Sequence, residues 1–268
     1  KKLTSLMGTN CFSNPKDSEI ITKLLTAIGI DDGDIVVDFF SGSGTTAESV
    51  LNIRDKKVKY ILVQIQEDLD VALARATGSG KTTINNAIKL CDELNVPHTI
   101  DQIGMERIKR VSNKVREENP LFAGDLGFKH YTLEEPKENL LLKMEKFNPD
   151  KDVMTDITAD DFGVETVLRT WLVADGYGLT EDAEEINLNG YTAYYKGNHL
   201  YLINPDDTFS AGSIAALMDK YNGEAFSPQN IVIFGYSFGF THREELQKNL
   251  RTLKDGSKTL NVNIDVRY

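Results

Sequence analysis

Cysteine is scarce in this chain of 268 residues: Cys11 and Cys91 are the two, and they form no CxxC pair. Neither a disulfide framework nor a zinc cluster is therefore signalled, and two buried or inert thiols are expected. Histidine is nearly as rare. His98, His130, His199 and His242 are scattered without HxxxH or HExxH spacing, so no metal site is assigned. No apolar run approaches the roughly 18 residues that span a bilayer, and Lys1-Lys2-Leu3-Thr4 lacks the apolar stretch of a secretory signal. A soluble, cytoplasmic location without membrane contact is the expectation. There is no internal repeat and no low-complexity tract.

What is present is ordinary for a globular protein, 40% hydrophobic and 26% charged residues, enough to bury a real core. The net charge of −11 weighs against a chain that grips nucleic-acid phosphates over most of its surface. That acidity is uneven. Residues 151–268 hold 18 acidic and 10 basic side chains, whereas residues 1–150 hold 23 and 20, which suggests two domains with different jobs.

In the first half, Ile20, Ile21, Leu24, Leu25 and Ile28 recur at helical spacing after an Asp17 or Ser18 N-cap and stop at Gly29. Ile35–Phe40 reads as a buried parallel strand, Thr45–Asn52 as a helix and Tyr60–Ile65 as a second strand. The order is that of a partial Rossmann-like α/β sheet. Helices are expected over Thr83–Leu94 and Gln102–Glu118, and Gly127–Leu133 alternates like a strand. A charged stretch with two prolines, 136–155, reads as a linker around a short helix at Asn139–Phe147. Residues 156–268 read as a smaller α+β domain: a hairpin of Tyr191–Tyr195 and His199–Ile203 around Lys196-Gly197-Asn198, helices near Ile214–Tyr221 and Arg243–Leu253, and strands at Ile231–Phe234 and Leu260–Val266.

The chemistry sits at the strand-to-helix junction. Gly42-Ser43-Gly44-Thr45-Thr46-Ala47 satisfies G-x-G-x-x-A, where missing β-carbons let a ligand approach backbone amides at a helix N-terminus. Asp38, just before Phe39-Phe40-Ser41, places a carboxylate beside the loop and suits a ligand that carries an ammonium group. A dinucleotide site would instead set its glycines directly after an apolar strand.

The run Asp38-Phe39-Phe40-Ser41-Gly42-Ser43-Gly44-Thr45-Thr46 resembles the S-adenosylmethionine (AdoMet) motif of amino-methyltransferases that act on DNA. Asn14-Pro15-Lys16 with the helix after it resembles the segment that precedes that motif. Leu62–Glu67, Ile100–Ile108 and Gly124–Phe128 are similar to stretches of the modification subunits of type III restriction-modification systems, and Thr166–Leu172 extends the resemblance less sharply. The resemblance implies a DNA adenine-N6 methyltransferase. Asn14, Pro15, Asp38, Phe39, Phe40, Ser41, Gly42, Ser43, Gly44, Thr45, Thr46, Gln64 and Glu67 would line its AdoMet site. Residues 1–135 would form the AdoMet-binding half and 156–268 an interaction domain. Partners would be DNA through the intact enzyme, the restriction subunit, and a second copy in a homodimer.

Two departures stand out. Gln64 occupies the position where related methyltransferases carry an acidic ribose ligand, with Glu67 three residues later. An amide can still bond a hydroxyl. The Asp/Asn-Pro-Pro-Tyr/Phe motif that holds the target amine is missing, since Asn148-Pro149-Asp150 and Asn204-Pro205-Asp206 lack both the second proline and the aromatic. No catalytic residue is therefore assigned, the catalytic motif and target-recognition region are expected upstream of Lys1, and the chain alone is expected to be inactive. Without upstream strands the Ile35–Phe40 strand would lack a neighbour, so self-association, or a role as a non-catalytic assembly module, is the alternative reading.

Other motifs have plainer explanations. Ala76-Thr77-Gly78-Ser79-Gly80-Lys81-Thr82 looks like an ATP-binding P-loop, but Arg75 stands where glycine is required and Leu69–Arg75 reads as helix, so a flexible interhelical loop is expected. Arg107, Arg110 and Lys114 share a helix face that could meet DNA phosphate, and a solvated face is the simpler reading. Tyr191, Tyr194, Tyr195 and Tyr201 are expected to pair across the hairpin, and Trp171 to anchor a core.

Overall fold

The protein is described by a computed structural model that covers residues 2–133, 135, 137–146, 157, 159–204, 206–223, 225–255 and 261–268. It is a mixed helix-and-sheet structure, as the α/β reading expects, divided into two compact units, Lys1–Phe128 and Lys129–Tyr268. Phe147, the Asn148-Pro149-Asp150 tract, Pro205 and Leu260 lie outside the described residues, as does most of the 136–155 stretch apart from a helix at Glu138–Lys146.

The first unit contains α1 (Lys2–Met7), α2 (Ser18–Ala27), β1 (Ile35–Asp38), α3 (Thr45–Leu51), β2 (Lys59–Leu62), α4 (Leu69–Arg75), α5 (Gly78–Leu94) and α6 (Ile100–Glu118). The limits of α2 are local in origin. Asp17 accepts a hydrogen bond from the Glu19 amide at 2.9 Å, and Gly29, at φ +83°, turns the chain so that the Gly29 and Ile30 amides donate to Thr26 and Leu25. Strands β1 and β2 run parallel, Ile35 opposite Lys59 and Asp38 opposite Leu62, with α3 as the crossover. Val36, Tyr60 and Leu62 point inward against Leu25, Ile30, Val50, Ala47, Leu51 and Val111. The opposite face is bare. Ile35, Val37, Ile61, Val63 and Ile65 are all exposed, and β1 pairs with β2 alone among the described residues. Helices α1, α4, α5 and α6 enclose a separate core around Met7, Cys11, Leu90, Cys91 and Ile103, where burial pushes both free thiols up.

The second unit is a three-layer arrangement. Its elements are α7 (Glu138–Lys146), α8 (Ala159–Phe162), α9 (Val164–Ala174), β3 (Glu184–Leu188), β4 (Tyr191–Lys196), β5 (His199–Leu202), α10 (Ala211–Asn222), β6 (Asn230–Phe234), α11 (Phe240–Asp255) and β7 (Asn263–Arg267). The sheet has the order β3-β4-β5-β6-β7, with the β3–β4 and β4–β5 pairs antiparallel and the β5–β6 and β6–β7 pairs parallel. Strand periodicity divides the core. Leu200, Leu202, Ile231 and Ile233 face α10 and α11, while Tyr201, Ile203, Val232 and Phe234 face Val167, Leu168, Trp171 and Leu172 of α9. Of the four tyrosines expected to pair across the hairpin, only Tyr194 and Tyr201 are cross-strand partners, while Tyr191 packs on Phe209 and Phe238 and Tyr195 on Phe226; Trp171 is a buried anchor, as expected.

Three sequence expectations fail here. Gly127–Leu133 forms no strand, because an alternating segment needs a partner edge, and Lys129 and Tyr131 instead bond Asp182 and the Leu179 carbonyl through their side chains. Residues 76–82 are not a flexible interhelical loop, since α5 already starts at Gly78 and only Ala76 and Thr77 separate it from α4. Strand β3 was missed although Asn189-Gly190, both at positive φ, is the strongest two-residue hairpin signal.

On the α9 side of the sheet, the Asp175 carboxylate accepts from Arg267 at 2.8 and 3.1 Å and from Tyr201 at 2.7 Å. Arg267 also lies 5.5 Å over the Trp171 ring. Burial alone would raise the Asp175 carboxyl, but Arg267 and Tyr201 outweigh it and hold it below its ordinary 3.8. A depressed carboxylate adds stability above its unfolded value that is lost as pH falls through the folded one. Arg267→Met is expected to cost about 3 kcal/mol at neutral pH, because Asp175 is left nearly buried without its cation. Denaturant unfolding below about pH 4 should show the gap between variant and parent narrowing.

Candidate functional site

The junction between β1 and α3 is a tight loop held on three sides. The ladder continues past the strands, the Val63 amide donating to the Asp38 carbonyl at 2.8 Å and the Ser41 amide to the Val63 carbonyl at 3.1 Å. Asp38, half-buried at the end of β1, accepts from the Phe40 amide at 3.0 Å through Oδ1 and from Thr46 Oγ1 at 2.6 Å through Oδ2. Each carboxylate oxygen keeps a lone pair, so the group can still receive an ammonium ligand. Phe39 and Phe40 are exposed, Phe40 by 84%, and offer aromatic faces beside it.

The glycines serve contacts with the protein itself. Gly42, at φ +50°, lies under the Phe12 ring, whose Cζ would be 3.0 Å from a β-carbon placed there. Gly44, at φ +72°, is the N-cap of α3, and a β-carbon there would come 3.2 Å from the Gly104 carbonyl. Gly104, inside α6, reciprocates. A β-carbon there would sit 3.3 Å from the Gly42 carbonyl, so loop and helix touch backbone to backbone.

Gln64 has a role that its position in the sequence did not reveal. Its Oε1 accepts the Gly42 amide at 2.7 Å and its Nε2 donates to the Ile65 carbonyl at 2.9 Å, so the side chain bridges the glycine loop to the segment after β2. Glu67 is exposed on the same connection, two residues before α4.

Beneath the loop lies Arg107. Its side chain is 2% exposed, donating from Nε to Glu48 Oε2 at 2.6 Å and from Nη1 to Ser43 Oγ and Thr45 Oγ1, both at 2.8 Å, and to the Ser43 carbonyl at 3.2 Å. Glu48 accepts from Ser18 Oγ at 2.7 Å, which ties the start of α2 into the same network. This corrects the reading of Arg107 as part of a solvated or phosphate-facing surface. It is consumed inside the fold, as Arg110 partly is by Glu106 and the Leu6 carbonyl; Lys114 is exposed.

The structure thus brings Asp38, Phe40, Ser41, Gly42, Ser43, Gly44, Thr45, Thr46 and Gln64 into one bonded cluster. Asn14 and Pro15 stand apart from those bonds: Asn14 is exposed at φ +54°, and Pro15 leads into Ser18, whose hydroxyl and carbonyl bond Glu48 and Ser49 on α3. Sequence reasoning missed Phe12, Ser18, Glu48, Gly104 and Arg107. A glycine at the fifth position of a 19-residue helix was the available signal, because inside a helix it costs about 1 kcal/mol against alanine unless a close approach requires it. Lys81 lies in α5 directly after α4, so the strand that a P-loop follows is absent there. Among the described residues, no group of three or more His, Cys, Asp or Glu side chains could hold a metal ion, and no helix is long and apolar enough to cross a membrane.

The class defined by these features is an α/β protein built around a strand–glycine loop–helix segment. Residues 162–260 match the family described as the Type III R-M EcoP15I C-terminal domain. Over 100% of its length the chain is 32% identical to the Type III restriction-modification enzyme StyLTI Mod subunit of Salmonella typhimurium strain LT2, covering 42% of that subunit. It is 30% identical to the EcoPI Mod subunit of Escherichia phage P1, over 99% of this chain and 38% of that subunit. The EcoP15I Mod subunit of Escherichia coli is also 30% identical, over 97% of this chain and 36% of that subunit. The chain is therefore a relative of the C-terminal part of type III modification subunits, and it spans about two fifths of the length of the curated relatives it matches.

The weight placed on Arg107 is measurable. Arg107→Met leaves Glu48 without its cation in a mostly buried setting and should lower unfolding free energy by about 3–5 kcal/mol. Urea denaturation that shows a loss below about 1 kcal/mol would contradict this role.

Proposed function

We propose that the chain is the C-terminal part of a type III modification subunit, a site-specific DNA adenine-N6 methyltransferase, and that residues 1–135 bind AdoMet. Similarity to three modification subunits over 97–100% of this chain is the observation that carries this reading. The geometry around Asp38 supports the cofactor. Asp38 would hold the ammonium, Asn14, Pro15 and Phe40 would line the pocket beside Phe39, and Glu67, with Gln64 already bonded to Gly42, would take the ribose hydroxyls.

When bound, AdoMet supplies an electrophilic methyl group to the exocyclic amine of a flipped adenine. This chain's own part is positioning: the loop from Ser41 to Thr46 orients the cofactor and no covalent enzyme intermediate forms. With no Asp/Asn-Pro-Pro-Tyr/Phe motif of its own, the chain alone is inactive, and DNA is engaged through the intact enzyme. Residues 136–155 act as a linker, and the acidic 156–268 domain contacts protein, including the restriction subunit, rather than DNA. The site of action is the cytoplasm.

Calorimetric titration with S-adenosylhomocysteine, which needs no catalysis, tests the cofactor reading. Binding by the parent and at least about tenfold weaker binding by Asp38→Ala is the expected outcome, since a lost charge-assisted contact is worth about 1.5–3 kcal/mol. Equal affinities would remove Asp38 from the site.

The bare face of β1 and β2 favours a second reading, in which the chain works as an assembly module that forms a homodimer through this face. An apolar strand surface with an unpaired edge is a template for association. Val37→Lys should then shift sedimentation at micromolar concentration from dimer toward monomer. A parent chain that sediments as monomer would sink this reading.

A further inference from the structure

The connection from β2 to α4, which carries Glu67, is held from the side by the segment that leads into α6. The Leu69 amide donates to the His98 carbonyl at 2.9 Å, the Ile100 amide donates to the Glu67 carbonyl at 3.1 Å, and Asp68 and Thr99 form an antiparallel bridge between them. Asp68 then caps α4, accepting from the amides of Asp70 and Val71 at 2.8 and 3.0 Å. Glu67 is therefore positioned only as well as residues 98–100 are.

The side chain of His98 anchors that segment. Its Nδ1 lies 2.9 Å from Asp70 Oδ2 on α4, and its Nε2 lies 2.9 Å from Asp92 Oδ1 on α5. A carboxylate accepts and does not donate, so both contacts are hydrogen bonds only when both ring nitrogens carry protons. Neutral imidazole would keep one bond and turn a lone pair toward the other carboxylate.

We propose that His98 is a positioning residue whose imidazolium form clamps α4 to α5, orders the Glu67-bearing loop, and makes cofactor affinity depend on the protonation of a side chain outside the pocket. The link to affinity rests on the AdoMet reading; the clamp itself does not. Asp70 from α4 and Asp92 from α5 are the charged groups that face the ring, and their hydrogen bonds, Asp70 first, raise His98 above its ordinary 6.5 against a smaller opposing effect of burial. The clamp is therefore closed at mildly acid pH and opens as pH rises through that raised value.

Two measurements on the ligand-free and ligand-titrated chain separate the clamp from the cofactor. Hydrogen-exchange protection of the Leu69 and Ile100 amides, corrected for intrinsic rates between about pH 5.5 and about pH 8.5, should fall several-fold along the NMR titration of His98. S-adenosylhomocysteine affinity should weaken about three- to tenfold over the same range beyond any change shown by His98→Gln and Asp92→Ala, in which the contact of Nε2 with Asp92 is absent at every pH. The ligand's own amine titrates equally in all three proteins. Protection that ignores the His98 titration, or a parent affinity profile parallel to that of His98→Gln, would overturn the proposal. Protection that follows His98 without any ligand binding would leave the clamp standing and remove Glu67 from a cofactor role.

Discussion

A buried guanidinium organises the first unit. Arg107 enters from α6 and reaches Glu48 on α3, 59 positions away, and both hydroxyls that flank Gly44. An arginine costs several kcal/mol to remove from water unless its donors are matched, and here they meet one carboxylate, two hydroxyls and a carbonyl. The consequence is directional. The glycine loop is tied to α6 through Ser43 and Thr45, and Ser18 brings α2 onto the same network through Glu48. Gly104 permits the approach that makes this possible, because α6 must come within backbone contact of the loop before Arg107 can reach it.

That frame leaves one surface of the first unit unprovided for. The inner face of β1 and β2 packs against α3 and α6, while the outer face presents five aliphatic side chains to solvent. Parallel sheets are usually covered on both faces, since their crossover helices lie on either side. The second unit shows the complete version: its sheet carries α10 and α11 on one face and α9 on the other, with nearly fully buried alternating residues on both. The contrast makes the exposed β1–β2 face a feature of the molecule with a physical consequence for association rather than a scatter of surface aliphatics.

The relation to type III modification subunits sets the scale on which the chain should be read. The chain covers 36–42% of the subunits it matches and holds a bonded glycine loop in one unit and a separate five-stranded sheet in the other. Under that reading, what this part contributes is geometry: a carboxylate at a strand end, aromatic faces next to it, and a loop kept rigid by Gln64 above and Arg107 below.

Much of the scaffold was legible from residues alone. The limits of α2, the β1–loop–α3–β2 order and the hairpin turn at Gly197-Asn198 follow from apolar periodicity, capping and positive-φ glycines, which act over a few neighbouring residues. Tertiary structure decided the rest. The spacing of Arg107, Arg110 and Lys114 describes a helix face without saying whether water or Glu48 lies opposite it. The alternation at 127–133 describes an extended segment without supplying the partner edge that makes a strand. Gln64 reads as a departure until the Gly42 amide is found against it, and His98 as an isolated histidine until Asp70 and Asp92 arrive from two helices. Local patterns set conformation because torsional and capping preferences are short-ranged. Which partner a polar group meets depends on chain closure over tens of residues, and that is settled only when the elements pack.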